Sequence, residues 1–427
     1  MNMTQNNAIN RLLVRVKTRA ETEDSYTLQR TFVPLEPLLS MLQHDQHQVL
    51  YGRRGTGKTH VLKYLAETLR AKGNFTIYLD LRTIGSSGGL YGDRSESLPL
   101  RATNLLVDVV EALHTELLHT ALEDERQADR LEALSGGLDR LAESAAAVRV
   151  VGPVEDEVTT GHSTQLQRDV GGSATLARLP NATLSGSSRR TVASTTENRR
   201  RRSGVEQPHV LFGPLASAVR QVAEACRPHQ LWIMLDEWSA VPLELQPLLA
   251  DLLRRAFFAA PNVVVKIGAI QRRSRFYAGG GNGDYIGIEL GADTSASLDL
   301  DDFLLFENNK RNVAAFFGQV LYKHLYALME SRGFEFAIKV EDDFIKEAFR
   351  SRQAFDELIY ASAGVPRDAI QIAGSAANAA GDKPIATQNV HAGARDYFLR
   401  RTTPALCHCY AVATRTTHLS RSSTISG

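Results

Sequence analysis

Gly52-Arg53-Arg54-Gly55-Thr56-Gly57-Lys58-Thr59 is the stretch that decides the fold of this chain. It matches the pattern G-x-x-x-x-G-K-[ST], with a short apolar strand before it (Gln48-Val49-Leu50-Tyr51) and a helix expected after it, from His60 to Lys72. The order strand, loop, helix is what the pattern requires. Glycines let successive backbone N–H groups converge on phosphate oxygens, and the helix N-terminus adds its dipole. In such a loop Lys58 neutralises the outer phosphates and the Thr59 hydroxyl holds Mg²⁺. Gly52, Arg53, Arg54, Gly55, Thr56, Gly57, Lys58, Thr59 and His60 are therefore the candidate nucleotide-binding residues.

Further along, Leu231-Trp232-Ile233-Met234-Leu235 is an apolar run that ends in Asp236-Glu237. A run apolar on both faces reads as a central strand of a parallel sheet covered by helices. Acids at the C-terminal end of such a strand lie at the edge where ligands of open α/β folds collect. Asp236 is the candidate for the Mg²⁺ shell, and Glu237 for the base that takes a proton from an attacking water. That pair points to hydrolysis.

Around these motifs the chain divides into a lead-in over 1–47, a core over 48–331 and a small helical unit over 332–386. The core has a second strand at Phe75–Leu81, helices around Leu215–Cys226 and Leu243–Phe258, and a strand over Asn262–Ile270. Gln271, Arg272, Arg273 and Arg275 follow at its tip, and Tyr285–Leu290 reads as a fifth strand. The helical unit carries Phe344, Ile345, Phe349, Leu358 and Ile359 as its apolar stripe. It also contains Gly364-Val365-Pro366-Arg367, a turn whose proline opens a helix and presents an arginine towards the core.

Far more chain separates Lys58 from Asp236 than one or two βα units need, so 85–208 reads as an insertion. Residues 92–211 contain no Phe, Trp or Tyr. The first half is expected to be helical, with Leu106, Val110, Leu113 and Leu117, then Leu131, Leu134, Leu138 and Leu141, spaced as a seam for a protruding hairpin or a partner helix. The second half, from about 150, is rich in Gly, Ser and Thr, ends in Arg199-Arg200-Arg201-Arg202, and is expected to be disordered. Residues 387–427 read as an irregular or truncated tail, and Cys407-His408-Cys409 is too compact to surround a zinc ion.

Hydrophobic residues make up 43% of the 427 and the net charge is +1, so no global field points to nucleic acid. Three cysteines give no disulfide framework, and no signal peptide or long apolar run is present; a cytoplasmic protein with no membrane contact is expected.

Taken together, the phosphate loop, the Asp-Glu strand end, the next strand with its polar tip and the Gly-x-Pro-Arg turn resemble an AAA+ ATPase. The resemblance is nearest to the origin-recognition and replication-initiator clade and its bacterial relatives, over about 32–84 and 209–380. It implies an α/β P-loop core with a parallel sheet plus a small all-α lid, and ATP with Mg²⁺ as ligands; no N-K-x-D guanine motif is present. It further implies that Arg367 contacts the γ-phosphate as the second sensor and that Gln271 is the first sensor, where the family normally has Asn, Ser or Thr. Lys58, Glu237, Arg367 and Gln271 then form the catalytic set.

Two functional classes fit. One is an ATP-hydrolysing conformational switch that acts on or with double-stranded DNA. The other is a STAND-like signalling ATPase, as in bacterial defence, that works through a homo-oligomer or a separate effector protein. A P-loop kinase would need a phosphate-accepting pocket that nothing in the sequence proposes.

Overall fold

The computed structural model describes residues 5–19, 23–84, 97–123, 131–145, 148–151, 154–158, 198–202, 205–208, 211–279, 285–295, 297–304, 310–332 and 338–400. Three short helices lead in: α1 (Gln5–Leu13), α2 (Ser25–Thr31) and α3 (Glu36–Leu42). Asp24 caps α2, its carboxylate accepting the Thr27 N–H at 2.7 Å. Then come β1 (Gln48–Tyr51), α4 (Lys58–Ala71), β2 (Phe75–Asp80), α5 (Leu98–Glu123) and α6 (Leu131–Ala145). Residues 148–209 form a unit of their own containing β3 (Val148–Val151), β4 (Val154–Val158), β5 (Asn198–Arg202) and β6 (Val205–Pro208).

The chain continues through α7 (Phe212–Ala225), β7 (Leu231–Asp236), α8 (Gln246–Leu252), β8 (Val263–Ala269), β9 (Tyr277–Gly279), β10 (Tyr285–Gly287) and β11 (Leu298–Asp299). It ends in α9 (Leu300–Leu304), α10 (Lys310–Glu330), α11 (Glu341–Ala348), α12 (Arg352–Ser362), α13 (Pro366–Ala380) and a last helix, α14, over residues 387–400. No helix among the described residues is long and apolar enough to cross a membrane.

The main sheet has the order β11-β1-β8-β7-β2 and is parallel throughout. β1, β7 and β8 are buried along their whole length, which is why their sequences show no polar alternation. Side chains of β7 alternate between the two covers, as a period of two demands. Leu231, Ile233 and Leu235 join the layer of α5 to α8, while Trp232 and Met234 meet α3 and α4. With β8 lying between β1 and β7, the tips that carry Gly52, Ile270 and Asp236 are adjacent at one edge.

Two departures from the sequence reading concern this core. Tyr285–Leu290 is not the fifth strand of the sheet: β10 pairs antiparallel with β9, and the fifth place is taken by the two-residue β11 beside β1. Its shortness left no periodicity to read. Nor do α5 and α6 protrude. Leu106, Val110, Leu113 and Leu117 of α5 and Leu134, Leu138 and Leu141 of α6 are buried in the main core with Phe75, Ile77 and Val222. The apolar seam that suggested an outside partner finds that partner in β2 and α7.

A second helical core gathers α1, α10, α11, α12, α13 and α14 around Phe317, Phe344, Phe349, Phe355 and Ile372. The tail reading from 387 is corrected here, because α14 buries Val390 and packs Ala394 and Tyr397 against this core; Tyr397 donates its hydroxyl to Asp368 at 2.6 Å. The lead-in is also part of it, since Asn10 donates to the carbonyls of Gly381 and Lys383 beyond α13.

Within 148–209, β3 pairs with β6 and β4 with β5, both antiparallel. Both ends of the segment expected to be disordered are therefore strand, which corrects that reading there; its middle, 159–197, lies outside the described residues, as do Cys407-His408-Cys409 and everything from 401. The register sets Glu155, Asp156 and Glu157 opposite Arg201, Arg200 and Arg199. The basic run is therefore paired in register with an acidic one.

Candidate functional site

The phosphate loop turns from β1 into α4 through two residues in the left-handed region, Gly55 (φ 92°) and Gly57 (φ 101°). A side chain at either would be strained. A Cβ on Gly57 would point into open space. Lys58 is almost fully buried and folds back over the loop, donating to the carbonyls of Gly52 (2.8 Å) and Arg53 (3.1 Å). Burial pulls its pKa below the usual lysine range, against the opposing pull of Asp236, Glu237 and Asp301.

Beside the loop, Asp236 is buried at the end of β7. Its Oδ2 accepts the hydroxyl of Thr59 at 2.6 Å and that of Tyr78 at 2.8 Å, and its Oδ1 accepts the Glu237 N–H at 2.8 Å. A buried carboxylate needs such donors to offset its lost hydration. Glu237 follows in the left-handed region (φ 56°, ψ 40°), unusual for a residue with a long side chain. Its Oε1 lies 3.7 Å from Nη1 of Arg82, whose guanidinium also grips Asp80 at the end of β2.

The turn between α12 and α13 meets the same loop. Arg367 donates its backbone N–H to the Gly55 carbonyl at 3.3 Å, and its Nε to the carbonyl of Thr18 in the lead-in at 3.3 Å. Arg53 ties loop and turn from the other side. Its backbone N–H and Nε both donate to the Asp301 carboxylate at 2.9 Å, and Nη2 donates to the Ala363 carbonyl at 2.7 Å. The Arg53 side chain therefore serves the frame of the site.

One cavity joins these parts. Its polar lining includes Arg54, Gly57, Lys58, Thr59, Glu237 and Arg367. Its apolar lining comprises Leu28, Phe32 and Val33 from the lead-in, Phe316 and Val320 from α10 and Ile370 from α13. Two histidines complete it. His60 bonds the Leu28 carbonyl at 2.8 Å and lies edge-on to His324, ring centres 6.4 Å apart. Burial holds His60 down to about 4 and lowers His324 as well, so both are neutral at pH 7. Cationic and apolar side chains lining one cleft suit a ligand that joins phosphates to a planar base.

The donor set beside the loop is also chemically apt for Mg²⁺. Thr59 and Asp236 present oxygen atoms side by side, and among the described residues no cluster of three or more His, Cys, Asp or Glu competes as a metal site. A cation that takes one or two protein oxygens and completes its shell from phosphate and water needs no more.

Of the residues expected at the site, the loop, Asp236, Glu237 and Arg367 converge. Gln271 is exposed on the short turn after β8, and it is Ile270 that faces the cavity. The sequence reading missed the lead-in as a cavity wall, and also Tyr78 and Asp301. The apolar run Phe32-Val33-Pro34-Leu35 just ahead of the phosphate loop was the available signal for the first.

Residues 16–80 match a family model described as ORC-CDC6-like. The span runs from the lead-in segment that walls the cavity through the phosphate loop to Asp80 at the end of β2, and it bears out the resemblance to the origin-recognition clade there. No curated protein matches the chain.

Proposed function

We propose that this chain, ORC-CDC6-like over residues 16–80, is an ATP-binding and ATP-hydrolysing switch of the AAA+ type. The observation that carries the reading is the single cavity lined both by the phosphate loop, Glu237 and Arg367 and by apolar residues with two histidines. Backbone N–H groups of the loop and the α4 dipole receive the phosphates, and Lys58 exchanges its two carbonyl partners for phosphate oxygens. Mg²⁺, held by Thr59 and Asp236, would supply charge neutralisation at the outer phosphates. Glu237 takes the proton of the attacking water. Arg367, already seated against Gly55, reports the terminal phosphate to the helical core, and its release on hydrolysis lets that core move.

Double-stranded DNA is the partner proposed on the strength of the family match. ATP turnover of the wild type and of Lys58→Ala, each with and without duplex DNA, tests the reading. Turnover that Lys58→Ala abolishes and duplex DNA stimulates is the expected result. Turnover indifferent to DNA, with assembly that follows ATP, would replace it with the signalling alternative.

A further inference from the structure

Asp236 is held more tightly than a metal-associated carboxylate needs to be by the phosphate loop alone. Thr59 already supplies one hydroxyl to Oδ2. Tyr78, from the neighbouring strand β2, supplies a second to the same oxygen at 2.8 Å. Oδ1 is fixed by the Glu237 N–H, and Gly268 of β8 closes on it so nearly that a Cβ there would stand 2.6 Å away. The carboxylate is thus clamped by groups from α4, β2 and β8, and by its own backbone neighbour.

We propose that Tyr78 is a positioning residue for the metal site: its phenol fixes the Asp236 carboxylate in the orientation that lets Thr59 keep a lone pair free for Mg²⁺. The geometry explains how. A Thr59 hydroxyl that donates its proton to Oδ2 turns its lone pairs away from Asp236. That arrangement persists only while the carboxylate stays put. With Tyr78 gone, Oδ2 has one donor left, and the side chain can rotate about its own axis to follow either the threonine or the cation. Lys63 lies over the Tyr78 ring, its Nζ 5.3 Å from the centroid, and the phenol donates its proton to Asp236 Oδ2. Outer-shell donors of this kind typically change metal affinity by about 10- to 100-fold when removed.

The inference rests on the Mg²⁺–ATP reading above, and the test separates the two. A fluorescent ATP analogue is titrated onto wild type and Tyr78→Phe in EDTA and across a Mg²⁺ series, with Mn²⁺ paramagnetic resonance of the nucleotide complex as a direct view of the metal. The expected result is an unchanged affinity in EDTA and a Mg²⁺ midpoint about tenfold higher for Tyr78→Phe, with an altered Mn²⁺ signal. Equal Mg²⁺ midpoints would overturn the role of Tyr78 and leave the ATP reading standing. An affinity loss of the same size in EDTA and in Mg²⁺ would also overturn it, showing a structural effect only. A wild type that binds no nucleotide in either condition would overturn both.

Discussion

The Gly55 carbonyl accepts the backbone N–H of Arg367 at 3.3 Å, so the phosphate loop and the turn that opens α13 touch backbone to backbone. A Cβ added to Gly55 would lie 3.0 Å from the Arg367 Cβ and 3.1 Å from Val365. The contact needs both the glycine and the loop conformation that glycine permits. The loop and the turn are therefore in direct contact.

Arg53 strengthens that contact through Asp301 and the Ala363 carbonyl. Arg53→Ala should loosen the turn without removing any phosphate-facing N–H. Hydrogen bonds to a charged group are worth about 1.5–3 kcal/mol, and the partial exposure of the Arg53–Asp301 pair brings the expected cost to about 1 kcal/mol. Faster amide exchange across 363–367 in Arg53→Ala is the predicted signature; exchange identical to wild type would remove Arg53 from this role.

Glu237→Gln should keep nucleotide affinity within about twofold while turnover falls by about 10²–10⁴, the span of a lost general base. The substitution preserves shape and removes the proton acceptor. Parental turnover in this variant would place the base elsewhere.

Leu113 of α5 has no exposed surface. If α5 is core, as its packing against β2 and α7 indicates, Leu113→Ala should cost about 2–5 kcal/mol in urea unfolding. A helix that served only a partner would lose almost nothing.

Acid should destabilise the fold through its buried histidines. His60 and His47 both sit at about 4, held down chiefly by burial, against an ordinary value of 6.5. His47 accepts the Val265 N–H at 3.1 Å and stacks on Phe258, which also suits the neutral ring. Between pH 6.5 and 4 the unfolded chain binds these protons and the folded chain does not, so stability falls as pH falls through that window. For His60 alone the loss from pH 7 to pH 5 is on the order of 2 kcal/mol. Unfolding midpoints measured across that range should drop; a flat profile would contradict the buried neutral assignment.

The parts legible in the sequence were those whose signal is local. The loop at 52–59 carries its own strand and helix, the acid pair at 236–237 ends a run buried on both faces, and the 364–367 turn has its proline at the helix start. Parts set by distant contacts were not legible. Leu106 to Leu117 show that a surface is apolar, but a seam does not say whether β2 or an outside protein covers it. Leu28 and Phe32 become a cavity wall only when α10 and α4 close around them. Tyr78 reads as an ordinary strand residue until β2 pairs with β7 in the register that sets Asp80 opposite Asp236. Two-residue β11 was too short for any pattern, and Tyr285–Gly287 looked more like a strand of the sheet than the true one did.

The most direct test of the account is calorimetric titration of Mg²⁺–ATP into wild type and Lys58→Ala. The account predicts one site per chain in the wild type and an affinity at least about tenfold weaker in Lys58→Ala, since the lysine gives up two carbonyl bonds for charge-assisted ones to phosphate. Equal binding by both proteins, or none by the wild type, would contradict it.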